Sequence, residues 1–186
     1  MTPPDDLSLT ELVARATRGD ASAFEALIQR YERLALGIAF ASLQDAPLAA
    51  DVVQEAFVKA WRRLGDLSRP ASFGPWLYGI VRNLCVDHRR RKRLATCDLQ
   101  QASGQVDART ENPMDALHRR ETAHRIEAAL AHLDELTRTA IVLRYYENQT
   151  SRQIAELLDV SAASIDMRLM RGRAILKEVL EGVGSR

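Results

Sequence analysis

Long apolar runs are missing from this chain. No stretch approaches the ~18–20 residues of a membrane-spanning helix, so insertion in a membrane is not expected. The amino terminus, Met1-Thr-Pro-Pro-Asp-Asp6, lacks both the basic start and the apolar centre of a secretory signal. A cytoplasmic protein is expected. Cysteine is scarce as well. Cys85 and Cys97 stand alone, with no CxxC and no Cys/His pair at zinc spacing. Cys85 falls on an apolar helical stripe and reads as a buried thiol, whereas Cys97 lies in a polar stretch. His118, His124 and His132 are spaced by six and eight residues, not the four that brings two ligands onto one helical face, and they read as surface residues. Neither a metal nor a cofactor is expected. Also missing are a Gly-rich phosphate loop, carboxylates clustered at metal spacing, and a nucleophile beside a base. The chain is therefore not expected to be an enzyme.

What is present is charge, unevenly placed. The chain has 186 residues, 46% hydrophobic and 27% charged, a globular composition sufficient for one domain or two small ones. The formal net charge is only +1, which hides local asymmetry. Residues 82–93 carry six Arg or Lys against one Asp, while residues 98–115 lean acidic. Phosphate attraction depends on a patch more than on a total.

Sustained strand-like alternation is absent, and the pattern is helical almost throughout. Ser8 and Glu11 have the spacing of a capping box, in which each residue's side chain satisfies the other's free amide. Gly19-Asp20 ends that helix and starts the next. Phe24, Leu27, Ile28, Tyr31, Leu34, Ala35 and Ile38 recur at three- and four-residue steps. Pro47 interrupts. A third helix is expected to bury Val52, Val53, Ala56, Phe57, Ala60 and Leu64, with Trp61 near its end. A loop over residues 65–72 follows. A fourth helix carries Phe73, Trp76, Leu77, Ile80, Val81 and Leu84. Periodicity then vanishes over residues 94–113, where small polar residues predict a flexible linker. It resumes near Met114. Thr137 is expected to cap a helix with Ala140, Ile141, Leu143 and Tyr145 facing inward, and Thr150 with Gln153 forms a second capping box. The fold class is all-α: two small helical domains joined by a linker.

Residues 151–171 read as a helix-turn-helix. Ala155 is the small residue where two helices cross, and Ile154, Leu158, Val160, Ile165 and Leu169 hold the crossing. Asp159 occupies the turn, where positive φ is required. Ser161 is placed to cap the second helix and aim its free amides at a phosphate. Ala162, Ala163, Ser164, Arg168 and Arg171 are expected on or near its exposed side. Asp166 stands there too. Its carboxylate either faces phosphate and lowers affinity, accepts from a cytosine amino group, or points away. Near the other end of the chain, Phe73, Trp76 and Tyr78 precede a basic helix end made of Arg82, Arg89, Arg90, Arg91, Lys92 and Arg93. Basic groups for the backbone beside a site for unstacked bases is how proteins grip single-stranded DNA. A solvated charged face and a plain aromatic core are the simpler readings of the same residues.

Together these stretches resemble the sigma factors of bacterial RNA polymerase, the extracytoplasmic-function group of the sigma-70 family. Residues 51–61 (DVVQEAFVKAW) look like region 2.2. Residues 76–83 (WLYGIVRN), with the basic run after them, look like regions 2.3 and 2.4. Residues 133–173 look like region 4. The resemblance covers nearly the whole chain and implies a region 2 domain over 7–93, a linker over 94–113 and a region 4 domain over 114–182. It implies that Asp51, Gln54 and Glu55 dock on the β′ clamp helices of core polymerase. The loop with Leu67, Ser68 and Arg69, together with Asn83, would hold a flipped base of the −10 element, and Arg82, Arg89 and Arg90 would contact its backbone. Ser161, Ala163, Ser164, Arg168, Arg171 and Arg173 would read the −35 element, while the apolar helices of region 4 meet the β flap. Promoter DNA, core polymerase and an anti-sigma factor are the partners implied. The acidic cluster before Val52 is reduced, with Leu48, Ala49 and Ala50 where acids are common. Asp166 and Met170 stand where basic residues or His are usual. Two other readings remain: a regulator that binds duplex DNA through the helix-turn-helix alone, and helical domains that only pack on a regulator.

Overall fold

The computed structural model describes residues 7–96 and 113–182, and within them the side chains of residues 7–92 and 121–181. These residues form eight α-helices and two 3-10 turns, with no strand among them. The helices are α1 (Leu9–Thr17), α2 (Ala21–Leu43), α3 (Ala46–Arg63), α4 (Phe73–Thr96), α5 (Pro113–Ala131), α6 (Glu135–Tyr145), α7 (Ser151–Leu158) and α8 (Ala162–Gly182). Among the described residues no helix is long and apolar enough to cross a membrane.

Local chemistry explains the breaks. The Ser8–Glu11 capping box forms in full, and so does that of Thr150 and Gln153. Gly19, at φ 91°, turns the chain after α1, and the Asp20 side chain accepts from the Ala23 amide to start α2. The Asp45 side chain accepts from Leu48 N, and Pro47 sits in the first turn of α3, where its missing N–H costs nothing. Two expectations are corrected. Helix α6 is capped by Asp134, not by Thr137: the Asp134 carboxylate accepts from the Thr137 amide at 3.1 Å and from its hydroxyl at 2.6 Å. A two-oxygen carboxylate serves both groups, whereas Thr137 lies already inside the helix. Tyr145 does not face inward. It is 54% exposed at the end of α6, beside the equally exposed Tyr146.

Helices α1 to α4 pack around Leu27, Val52, Ala56, Phe73 and Val81, all with almost no exposed surface. Phe24 meets Trp61 with ring centroids 4.8 Å apart, and Tyr31 meets Phe73 at 5.0 Å. Helix α4 runs to Thr96, three residues beyond the boundary expected at 93. Residues 97–112 of the expected linker, with Cys97, lie outside the described residues, and Pro113, expected to end it, opens α5. Helices α5 to α8 form the second unit around Leu143, Ile154 and Ile165. Gly172 on α8 lets α6 approach closely: a Cβ there would stand 2.9 Å from Thr137 Cγ2.

The two units are joined by contacts that the sequence pattern did not announce. Helix α2 lies along α6, and α4 meets α7. Gly37 brings α2 close enough that a Cβ would lie 3.4 Å from both Val142 and Glu147. Arg138 donates to the carbonyl oxygens of Leu130, Leu133 and, across the seam, Ala41. Gln44 Nε2 donates to Glu127 O at 3.1 Å, and Arg33 pairs with Glu147 at 3.3 Å.

Candidate polymerase and nucleic-acid interfaces

Helix α3 has two faces. Val52, Val53, Ala56, Phe57 and Ala60 are buried, so the same turns leave Asp51, Gln54, Glu55 and Val58 in solvent. This outward row is the one expected to dock on polymerase. Leu48 is half-buried and Ala49 is buried, which removes them from it. The row does not stand apart from the basic end of α4. His88 Nε2 lies 3.3 Å from Glu55 Oε2, so the acidic row and the basic helix end adjoin.

On α4, Arg82, Asn83 and Arg90 are exposed, and Arg89 is half-buried. Arg90 reaches Asp87 at 3.5 Å. Phe73 is core, while Trp76 and Tyr78 are half-buried. The loop before α4 is not irregular throughout: it contains the two 3-10 turns, Leu64–Asp66 and Pro70–Ser72. Between the turns Ser68 and Arg69 are exposed and Leu67 is half-buried. These three residues and Trp76 line a cleft of about 500 Å³, whose opposite wall includes Glu156 and Asp159 of the second unit. Asn83 does not line this cleft.

The helix-turn-helix forms as expected. Asp159 takes φ 54° in the turn, and its amide donates to Ala155 O. Ile154, Ala155, Leu158, Ile165 and Leu169 are buried, and Val160 is half-buried. The Ser161 hydroxyl accepts from Ser164 N at 3.2 Å, capping α8. Ala163, Arg171 and Arg173 are exposed and Ser164 is half-buried. Arg168 is placed differently from the expectation. It turns toward α6, where Nη1 donates to Asp134 Oδ1 at 3.1 Å and to Thr137 Oγ1 at 3.2 Å, and its Nε is buried without a partner. Burial acts against the charge of Asp134, but hydrogen bonds from Thr137 and the nearby Arg168 outweigh it, leaving the carboxyl below its usual range. Asp166 is exposed.

The electrostatics across the seam involve a residue that the sequence reading missed. Glu135 accepts from Arg89 at 2.9 and 3.2 Å and from the Ser42 hydroxyl at 3.0 Å. Its burial opposes ionisation, yet these donors hold its carboxyl below the usual range. No local pattern in the sequence marks Glu135, because its partners lie 46 and 93 residues away. Cys85 is buried, and desolvation pushes its thiol up to about 11 despite a hydrogen bond with Ser42. It is a core residue and a poor nucleophile.

The sigma-70 region 2 profile matches residues 27–95, and the sigma-70 region 4 profile matches residues 123–176. The RNA polymerase sigma-H factor of Pseudomonas aeruginosa is 31% identical over 92% of this chain and 93% of its own length. The extracytoplasmic-function sigma-E factor of Escherichia coli is 30% identical over 87% and 88%. The chain belongs to the extracytoplasmic-function group of sigma-70 RNA polymerase sigma factors. As such, the sigma factor directs promoter-specific initiation of transcription. Among solved structures, CnrH in complex with the cytosolic domain of CnrY is 28% identical, covers 94% of this sigma factor and 99% of that chain, and superposes with a TM-score of 0.67. The RpoE sigma factor of Bartonella quintana, 21% identical with a TM-score of 0.61 over 85% of this sigma factor and 96% of that chain, shares the fold.

Proposed function

We propose that the two units divide promoter recognition as the resemblance implies. Residues 7–93 act as the region 2 domain, which binds core polymerase and the −10 element. Residues 114–182 act as the region 4 domain, which reads the −35 element and meets the β flap. Asp51, Gln54 and Glu55 dock on the β′ clamp helices. Leu67, Ser68 and Arg69 receive a −10 base as single-stranded DNA, Asn83, outside their cleft, meets the same strand, and Arg82, Arg89 and Arg90 hold its backbone. Ser161, Ala163, Ser164, Arg171 and Arg173 face the −35 duplex, with Arg168 supporting the helix from behind. The factor is cytoplasmic and not itself an enzyme: the polymerase performs the phosphodiester chemistry. Pocketing a flipped base offsets the few kcal/mol of unstacking, so melting requires no nucleotide hydrolysis by this chain. An anti-sigma factor covers both units until the inducing signal arrives. The likeness to CnrH, solved with the cytosolic domain of CnrY, supports this control.

The observation that carries the reading is the outward row of α3 beside the basic end of α4, joined by the Glu55–His88 contact. A sigma factor must bind polymerase and promoter through adjoining surfaces. A regulator using only the helix-turn-helix has no use for that row. The test is a core-polymerase binding titration with the Asp51→Lys, Glu55→Lys double variant. Both side chains are solvent-facing, so the domain should fold while core affinity falls at least tenfold. Unchanged affinity would remove the docking assignment.

A further inference from the structure

Helix α8 carries an apolar crest where a DNA-reading helix ordinarily displays donors. The helix buries Ile165 and Leu169 in its own unit and presses Gly172 against Thr137 and Ile141. On the opposite side stand Ala163, Met167 and Met170, at steps of four and three residues that align them along one ridge. The two methionines are the most exposed large apolar side chains among the described residues, at 61% and 62%. The crest itself offers no hydrogen-bond donor. Arg168, the residue best suited to grip a guanine, faces the other way and is held by Asp134 and Thr137.

The flanks have a different character. Arg171 borders the crest on one side and Arg173 on the other, both exposed, with the exposed Asp166 next to the crest on the Arg173 side. Ser161 caps the end of α8 nearest the turn. An apolar strip with an arginine on each side, one of them offset by Asp166, fits a duplex groove, where phosphates run on either side of the bases. It fits an apolar protein groove less well, because such a groove would leave the cations without partners. Within the major groove, the apolar group that a base presents is the C5-methyl of thymine. Methionine is unbranched and polarizable, so it can settle against a methyl whose position varies with local DNA shape.

We propose that Met167 and Met170, flanked by Ala163, read thymine C5-methyl groups of the −35 element, and that apolar contact rather than Arg168 sets base preference there. This rests on the assignment of α8 to the −35 element made above.

Holoenzyme assembled from core polymerase and the full chain is titrated with duplex promoters selected from a randomised library. Each thymine of the −35 element is replaced in turn by deoxyuridine, which removes the methyl and keeps every hydrogen-bonding group. Wild-type holoenzyme should lose about three- to fivefold in affinity at one or two positions, the effect of leaving one methyl unburied. Met167→Ala or Met170→Ala should bind the thymine and deoxyuridine promoters equally at the position each residue reads, and Met167→Leu should keep discriminating. Thermal unfolding of each variant reports whether α8 still folds; both methionines are exposed, so the midpoints should match wild type. Normal −35 base preference with no deoxyuridine effect anywhere overturns the methyl reading and leaves the −35 assignment standing. Indifference of wild type to every −35 base overturns the assignment itself, and the proposal with it. Loss of core binding in Met167→Ala, with discrimination retained, would make the crest a protein contact and likewise overturn the proposal.

Discussion

Arg89 of α4 donates to both carboxylate oxygens of Glu135 at the start of α6, closing a two-pronged ion pair across the seam between the first unit and the helix-turn-helix unit. The same arginine is proposed to hold the −10 backbone, so under that proposal Glu135 would compete with a phosphate for it. Glu135→Gln should raise the affinity of the full chain for a −10 single-stranded oligonucleotide by about two- to fivefold. The pair is 40% exposed on each side, so the seam itself should weaken by no more than about 1 kcal/mol. Anisotropy titrations would show it, and an unchanged affinity would mean that Arg89 does not compete between the two. The pH dependence follows from the same contact. The carboxyl pKa is lowered in the folded chain, so its contribution is complete above the ordinary carboxylate range and is lost as pH falls through the lowered value. The seam should therefore loosen in acid, as pH falls below the ordinary carboxylate range of about 4, and stay unaffected near neutrality. Glu135→Gln should flatten that acid response.

Two glycines should respond oppositely to the same substitution. In Gly172→Ala the new methyl would meet Thr137 Cγ2 at 2.9 Å and Ile141 at 3.1 Å. Overpacking costs about 1–3 kcal/mol, which exceeds the gain in helix propensity of about 1 kcal/mol. Gly79 lies within α4 with nothing within 4 Å of its would-be Cβ. Gly79→Ala should stabilise by up to about 1 kcal/mol. Denaturant midpoints of the two variants should move in opposite directions. A shared sign would mean that helix α8 shifts to make room.

Asp134 serves three donors at once: the Thr137 amide, the Thr137 hydroxyl and the Arg168 guanidinium. Asp134→Ala should cost about 0.5–2 kcal/mol for the cap alone. It also leaves Arg168 without its carboxylate, and so should disturb −35 binding without touching DNA. Asp134→Asn keeps a capping oxygen and should recover most of the stability. Thermal unfolding and −35 binding together separate the two effects.

Asp166 is exposed on α8, between the buried Ile165 and the inward-turned Arg168. If it faces phosphate, Asp166→Lys should strengthen −35 binding for most sequences and steepen its salt dependence. If it accepts from a cytosine, the same change should erase preference at one base, at about 1–3 kcal/mol for that contact. The phosphate side is favoured, since repulsion from the backbone opposes the close approach that base contact requires. A titration against a −35 library decides it, and no change in either quantity removes Asp166 from the interface.

Local sequence determined most of the helical architecture, because its causes are local. The capping boxes at Ser8 and Thr150 and the left-handed Asp159 act over a few residues. The apolar stripes of α3 and α4 fixed which faces are buried, and thereby which carboxylates on α3 are left outside. Where two local solutions competed, the pattern misled: Asp134 and Thr137 are both good caps, and the carboxylate won because it satisfies amide and hydroxyl together. Tyr145 shows the same limit at a helix end, where periodicity continues on paper after the packing partner has run out. Tertiary structure alone decided the rest. Only packing turned Arg168 toward Asp134 and left Met167 and Met170 on the crest of α8. Only packing brought Glu135 to Arg89 and Ser42. A contact between groups so distant in the chain depends on how whole helices dock, and docking is set by the summed shape of many side chains rather than by any motif that a short stretch of sequence can display.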